Sequence, residues 1–292
     1  MAGLGFELPS RLNWLEASPE GRDWLRQLPN IIDECVHRWA LRLDRPYEQS
    51  NVSVVFPATT ARGLSAVLKI QFPHPECTHE AEALRRWSGN GAVQLLDSDA
   101  TLNALLLERC EPGEHLSTVK PDVALGVLME LLPRLWVDGD EPFVTLRKEA
   151  ASWAEQLPLS WERAGRPFEV GLLDAALEAL AILPESQGRQ VLVHQDLHGD
   201  NVLRAAREPW LAIDPKPLVG EREFSLAPIV RSYEFGHSRE HVIQRLDKLA
   251  SNLGLNRERA RLWTLAQTLA WAFEGERALE KHVETARWLW QG

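Results

Sequence analysis

The sequence predicts an α+β chain in two lobes: a small N-terminal lobe over residues 1–109 built on an antiparallel sheet, and a larger, mostly helical lobe over residues 110–292. Three observations lead there. Short apolar runs separated by turn residues recur between Val52 and Leu107, as strands do. From Ser117 onward the apolar spacing changes to a helical period. Within that second half two further short apolar runs, Val191–Val193 and Trp210–Ile213, each lead into an acidic residue, Asp196 and Asp214.

Composition bounds the rest. A chain of 292 residues is long enough for one large domain or two lobes with a sizeable core. The net charge of −10 and a pI near 5.5 argue against nucleic acid as a main partner. No apolar run approaches membrane-spanning length, and the stretch MAGLGFELPSRLNWLEA has neither a basic nor an apolar leader region, so a cytoplasmic protein is expected. Cys35, Cys77 and Cys110 show no metal or redox spacing and read as buried, reduced thiols. The twelve tryptophans are dispersed and read as core or lobe-interface residues.

In the first lobe, Ser18-Pro19-Glu20 starts a helix that the apolar spacing carries to Leu43, with a break expected at Pro29. Strands follow at Val52–Phe56 and Ala66–Ile70, around the turn Ala61-Arg62-Gly63. The second strand, Ala66-Val67-Leu68-Lys69-Ile70, resembles the kinase strand whose lysine holds nucleotide phosphates. A surface lysine is the plain alternative. A helix over 78–87 carries two candidate partners for Lys69: Glu80, which shares a side with Ala83, Leu84 and Trp87, and Glu82 as the fallback. Strands at 93–96 and 102–107 lead to Glu108-Arg109-Cys110-Glu111-Pro112-Gly113. That run reads as a hinge, where the backbone of Glu108 and Cys110 would pair with an adenine edge.

In the second lobe, helices are expected at 118–136, 144–157, 170–183, 224–235, 241–253, 257–273 and 276–290. Their apolar and tryptophan stripes, such as Leu262, Leu265 and Leu269, read as core. Glu221, Glu223, Glu234, Glu274 and Glu276 form an acidic set that could line an acceptor site, although most such charges are solvated faces.

The stretch VLVHQDLHGDNVLRAAREPWLAIDPK, 191–216, carries the chemistry. His194-x-Asp196-Leu197 followed by Asn201 has the outline of a kinase catalytic loop, and Asp214 at the end of the next strand completes it. A carboxylate is needed at the acceptor hydroxyl, hence Asp196. An amide oxygen and a second carboxylate are needed for Mg²⁺, which takes oxygen ligands and keeps several waters, hence Asn201 and Asp214. A β-hairpin over the intervening residues would bring those two together. Two readings compete: Asp and Asn serving a turn, and a metal-hydrolase cluster of His194, Asp196, His198 and Asp200.

The pieces VSVVFP (52–57), AVLKIQFP (66–73), HEAEALRRW (79–87), GAVQLL (91–96), ALLLERCEPG (104–113), HQDLHGDNVL (194–203) and WLAIDPKPLVGE (210–221) occur in an order similar to that of the aminoglycoside and hydroxyurea phosphotransferases, the streptomycin 6-phosphotransferase group in particular. The resemblance implies a two-lobed protein-kinase-like fold, ATP with Mg²⁺, and phosphorylation of a hydroxyl on a small, cationic antibiotic such as streptomycin. It assigns Asp196 as the base, Asn201 and Asp214 as Mg²⁺ ligands, Lys69 as the phosphate lysine and Glu80 as its partner. Three positions depart from the pattern. Gln49-Ser50-Asn51 stands where glycines are usual in the nucleotide loop, leaving Ser50 and Ser53 as side-chain donors. Ser225 replaces an Asp expected to brace the catalytic loop, and Gln195 replaces a Gly. These departures motivate a second hypothesis, a catalytically weak nucleotide-binding protein. A third keeps the chemistry and changes the acceptor to hydroxyurea or another small metabolite, because the fold does not fix the substrate.

Overall fold

The structure, a computed structural model, describes residues 8–292; residues 1–7, part of the stretch read for a leader, lie outside it. The chain divides into two compact units, one ending at Gly113 and the other spanning Glu114–Gly292.

In the first unit a short 3₁₀ segment, Ser10–Ala17, precedes helix α1, Pro19–Trp39. Ser18 caps α1 by accepting the Gly21 N–H at 3.0 Å, and Pro19 occupies a position where its missing N–H is not needed. The helix runs unbroken through Pro29, contrary to the sequence expectation. An interior proline costs about 3 kcal/mol. Trp24, Leu28 and Ile32 are buried on the same face, and each such burial contributes about 1.5–3 kcal/mol, enough to hold the helix together. Ala40, in the left-handed region at φ 49°, ends it. Residues 41–43, expected to be helical, form strand β1, Leu41–Leu43.

Strands β2 (Ser53–Thr60) and β3 (Ser65–Gln71), helix α2 (Glu80–Trp87), and strands β4 (Leu95–Asp99) and β5 (Ala104–Glu108) complete the unit. The sheet order is β1-β2-β3-β5-β4, antiparallel throughout. β4 and β5 start about two residues later than expected; between them Asp99 folds the connection, its carboxylate accepting the Thr101 and Leu102 N–H groups, so that β5 begins only at Ala104. Alternation along β3 decides the site. Leu68 and Ile70 join Phe56, Leu28 and Ile32 in the core against α1, so Lys69 and Gln71 point to the other face.

The second unit contains helix α3 (Pro121–Leu135), strand β6 (Val144–Thr145), helices α4 (Leu146–Arg163) and α5 (Val170–Ile182), and strands β7 (Gln190–Val193), β8 (Val202–Arg204), β9 (Trp210–Ala212) and β10 (Leu218–Glu221). Helices α6 (Ala227–Arg231), α7 (Arg239–Leu253) and α8 (Arg257–Ala270), strands β11 (Phe273–Glu274) and β12 (Arg277–Ala278), and helix α9 (Glu280–Trp290) follow. β10 pairs with β6 in parallel and with β7 antiparallel; β8 and β9 form the expected hairpin. The helix expected over 224–235 is three short pieces: a 3₁₀ turn, α6 and a second 3₁₀ turn. Pro228 sits at the start of α6, where a proline is tolerated, and the extended Ser232 ends it. The expected 257–273 helix stops at Ala270 because residues 273–278 turn back as a hairpin over Gly275, at φ 61°. α8 is the core of this unit, with Trp263, Leu265, Ala266 and Leu269 fully buried.

All three cysteines are free thiols, but only Cys35 is fully buried; burial pushes its thiol up to about 11. Among the described residues no helix is long and apolar enough to cross a membrane.

Candidate functional site

In the first unit the Lys69 ammonium meets both Glu80 carboxylate oxygens, at 2.9 and 2.7 Å. The choice of glutamate follows from helical spacing. Glu80, Ala83, Leu84 and Trp87 are the buried face of α2, while Glu82 lies off it and pairs with Arg85. Gln71, unnoticed in the sequence, donates to Glu80 Oε2 at 2.6 Å. Its signal was available: Gln71 is two residues past Lys69 on a strand and shares its face.

Ser53 is buried opposite Gln71 in the β2–β3 register, and its hydroxyl lies 2.5 Å from that of Ser50. The glycine-free loop is tied down by the preceding segment: Arg11 donates to the Gln49 carbonyl at 3.2 Å and Trp14 to that of Asn51 at 2.8 Å. At the end of β5 the Glu108 N–H donates to the Gln94 carbonyl at 2.9 Å; Cys110 follows, half-buried. A cavity of about 530 Å³ is lined by Glu80, Gln71, His74 and Asp99, among others, but not by Lys69, Ser53 or Glu108.

In the second unit β7 delivers the loop. His194 is buried, and its Nε2 donates to the Ile213 carbonyl at 2.9 Å. Burial pulls the imidazole down to about 4, so it is neutral at pH 7. That bond removes Nε2 from metal binding. Among the described residues the acid–imidazole cluster that forms is His198, Asp200 and Glu234, not the set of the competing metal-hydrolase reading, which included His194 and Asp196. Gln195 has φ 64°, the left-handed conformation that explains why glycine suits the position. Its carbonyl accepts from Gln267 at 3.3 Å.

Asp196 follows. Burial favours its neutral form, but Lys216, His198 and Arg231 outweigh that and hold the carboxyl below the usual range. Asn201 donates through Nδ2 to the Asp196 carbonyl at 2.9 Å, and the Ile213 N–H donates to the Asn201 carbonyl at 2.9 Å. The β8–β9 register thus sets Asn201 beside Ile213 and, one residue on, Asp214, itself left-handed at φ 55°.

Glu234 accepts from the Gly199 N–H and lies 3.6 Å from His198 Nδ1. Burial lowers the His198 imidazole, but Glu234, Asp196 and Asp200 raise it more. Gly199 is required there, since a Cβ would come within 2.6 Å of Glu234 Oε1 and 2.8 Å of Ser117 N. Asp200 accepts from the Ser117 hydroxyl, and its carbonyl from His115 at 2.8 Å.

The other members of the acidic set have separate surroundings. Glu221 is fully buried, gripped by both arms of Arg259 and by the Trp263 indole N–H, so it is structural. Glu223 accepts from the Asn256 N–H, and Glu274 and Glu276 are exposed on the β11–β12 hairpin. Ser225 donates to the Arg222 carbonyl and accepts from Trp136. The bonds that brace the loop after His194 come instead from Gln267, Asn201 and Glu234.

Aminoglycoside/hydroxyurea antibiotic resistance kinases match residues 38–277 as a family. Streptomycin 6-kinase of Streptomyces griseus is 40% identical over 257 residues, covering 86% of this chain and 83% of that protein. Hydroxyurea phosphotransferase of Kitasatospora aureofaciens is 39% identical over 300 residues, 97% of this chain and 86% of that one. Among solved structures, a choline kinase from Streptococcus pneumoniae superimposes with a TM-score of 0.66 at 12% identity, over 91% of this chain and all of that one, which shows the shared kinase-like α+β fold. With the match covering most of its length, and with close relatives at this identity, the chain belongs to the aminoglycoside/hydroxyurea antibiotic resistance kinases.

Proposed function

We propose that this small-molecule kinase uses ATP with Mg²⁺ and phosphorylates a hydroxyl of a cationic, polyhydroxylated antibiotic, streptomycin being the first acceptor to test. The first unit is then the nucleotide-binding lobe. Lys69, aligned by Glu80, holds the nucleotide phosphates; Ser53 donates to them; the backbone at Glu108 and Cys110 reads the adenine edge. The second unit is the catalytic and substrate-binding lobe. Asp196 accepts the hydroxyl proton as the oxygen attacks.

The donor set fits Mg²⁺. Asn201 uses its amide nitrogen on the Asp196 carbonyl, so the end it offers is Oδ1, and Asp214 adds a carboxylate beside it. Both are hard oxygen ligands, few in number, as Mg²⁺ prefers. When bound, Mg²⁺ neutralises charge on the phosphate oxygens. The observation that carries the reading is the single hydrogen-bonded loop that holds Asp196, Asn201 and Asp214 together.

Streptomycin is supported by two relatives named as streptomycin 6-kinases and by the net charge of −10, which raises the local concentration of a cation. One observation favours a second reading. Of the acidic set, Glu234 stands at the loop, beside Asp200, and both already accept protein hydrogen bonds, which leaves less to pair with guanidinium groups. A small neutral acceptor such as hydroxyurea fits that arrangement. Incubation with MgATP and each acceptor, read by mass, is expected to give phosphorylated streptomycin with a KM that rises with salt. Product from hydroxyurea or a neutral metabolite alone would overturn the antibiotic acceptor and leave the kinase.

A further inference from the structure

The run Trp210–Glu221 contributes more than Asp214. Two residues later Lys216 stands between Pro215 and Pro217. A proline fixes its own φ and restricts the residue before it to extended conformations, so Lys216 has little backbone freedom. Its N–H donates to the His194 carbonyl at 3.0 Å, tying it to the strand that delivers the catalytic loop. Its ammonium lies 3.2 Å from Asp196 Oδ2 and 5.0 Å from the centroid of the Trp271 ring. Arg231 lies over the same ring at 4.7 Å, with its guanidinium 3.8 Å from Asp196 Oδ1. Trp271 is itself fixed at the end of α8, where its N–H donates to the Gln267 carbonyl at 3.0 Å. The indole face favours both cations and holds them beside one carboxylate.

The two oxygens of Asp196 are therefore not equivalent. Oδ2 has a direct charge-assisted contact with Lys216. Oδ1 is approached by Arg231 at 3.8 Å and by His198 Nε2 at 3.9 Å, both beyond hydrogen-bond distance. An oxygen that must take a proton needs a lone pair open to the hydroxyl, and the carboxylate must hold one orientation while it does so.

We propose that Lys216, supported by Trp271, is a positioning residue for phosphoryl transfer: it pins Oδ2 of Asp196 and leaves Oδ1 to take the acceptor proton. This rests on the reading of Asp196 as the base. In that step the acceptor O–H bond breaks as its oxygen bonds to the γ-phosphorus. The bond from that phosphorus to the bridging oxygen of the nucleotide breaks, ADP leaves, and the proton ends on Oδ1. Lys216 keeps its own proton throughout. Arg231, the more buried of the two cations, supplies a fixed charge but no contact short enough to orient the carboxylate.

The test compares Lys216→Met, Lys216→Arg, Trp271→Leu and Asp196→Asn. Turnover is read with streptomycin and, independently of the acceptor, as MgATP hydrolysis with water in its place. Nucleotide affinity and melting temperature are measured on the same samples. Lys216→Met is expected to lower kcat about 10- to 100-fold, the effect of a misplaced reacting group, with acceptor KM and nucleotide Kd unchanged. Lys216→Arg restores most of the loss. Trp271→Leu lowers kcat less, and the double variant Lys216→Met/Trp271→Leu is no slower than Lys216→Met, because both act on one carboxylate. Full kcat in Lys216→Met overturns the proposal, as does a loss confined to nucleotide affinity or a fall in melting temperature with no recovery in Lys216→Arg. If Asp196→Asn is fully active, the base assignment itself fails. If Asp196→Asn is inactive while Lys216→Met is not, only the role of Lys216 fails.

Discussion

Lys69 and Asp196 are both largely buried charged groups with charged partners, yet their surroundings are built differently. Lys69 sits mid-strand and Glu80 opens a helix, so the regular periods of two elements bring them into bidentate contact at 2.7 and 2.9 Å. Asp196 sits on a loop, directly after the left-handed Gln195, with partners at 3.2, 3.8 and 3.9 Å. The first arrangement is saturated: Glu80 also accepts from Gln71, and a buried pair with its hydrogen bonds made keeps one geometry. The second is looser, and that suits the proposed role of Asp196 as a base, whose charge changes when it takes a proton. Strained backbone at a functional loop is tolerated where the surroundings over-determine it, as His194, Asn201 and Gln267 do here.

The comparison breaks most readily at Asp196. Asp196→Asn keeps the shape and removes the proposed base, and it is expected to lower kcat by about 10²–10⁴-fold with nucleotide affinity retained. Near-normal turnover would mean that the looser cluster is a structural ion network and nothing more.

At the saturated pair the expected effect is on stability as well as on rate. Glu80→Ala leaves the Lys69 ammonium buried without its carboxylate, and breaking a buried pair from one side costs about 3–5 kcal/mol. Glu82→Ala removes an exposed i,i+3 pair with Arg85, worth roughly 0.2–1 kcal/mol at most. Urea unfolding of the two variants, with nucleotide affinity alongside, separates them. Equal losses would show that α2 does not distinguish its two glutamates.

What the sequence disclosed follows the same division. Periodicity placed β3 and α2, and with them Lys69 and Glu80, because strand and helix repeats dictate which side chains share a face. The hairpin that joins Asn201 to Asp214 was legible too, since two short apolar runs flank a polar turn. Pro29 misled because helix propensity is local, while the burial of Trp24, Leu28 and Ile32 is tertiary. The acidic set misled because charge in a sequence does not report burial: Glu221 needed Arg259 and Trp263, 38 and 42 residues away, to become structural. Lys216 and Trp271 were not legible as a pair for the same reason. No period links a loop lysine to the end of a helix 55 positions on.

The smallest effect concerns the backbone under the loop. Gln195 holds φ at 64°, where an L-residue loses about 1–2 kcal/mol relative to the right-handed region. Glycine adopts that conformation without strain but gives up about 0.5–1 kcal/mol of chain entropy on folding. The hydrogen bond from Gln267 goes to the backbone carbonyl, so it survives any substitution that keeps φ. The Gln195 side chain is itself buried and interacts with Glu149, so with the two backbone terms nearly cancelling Gln195→Gly is expected to destabilise by about 0.5–1.5 kcal/mol through the lost side chain. A β-branched side chain is the opposite case, and Gln195→Val is expected to cost about 1–3 kcal/mol and to disturb the position of Asp196 one residue later. Urea unfolding with kcat on the same samples reads both. If valine is tolerated as well as glycine in stability and in rate, the left-handed backbone at Gln195 is not what sets Asp196, and the loop owes its geometry to its hydrogen bonds alone.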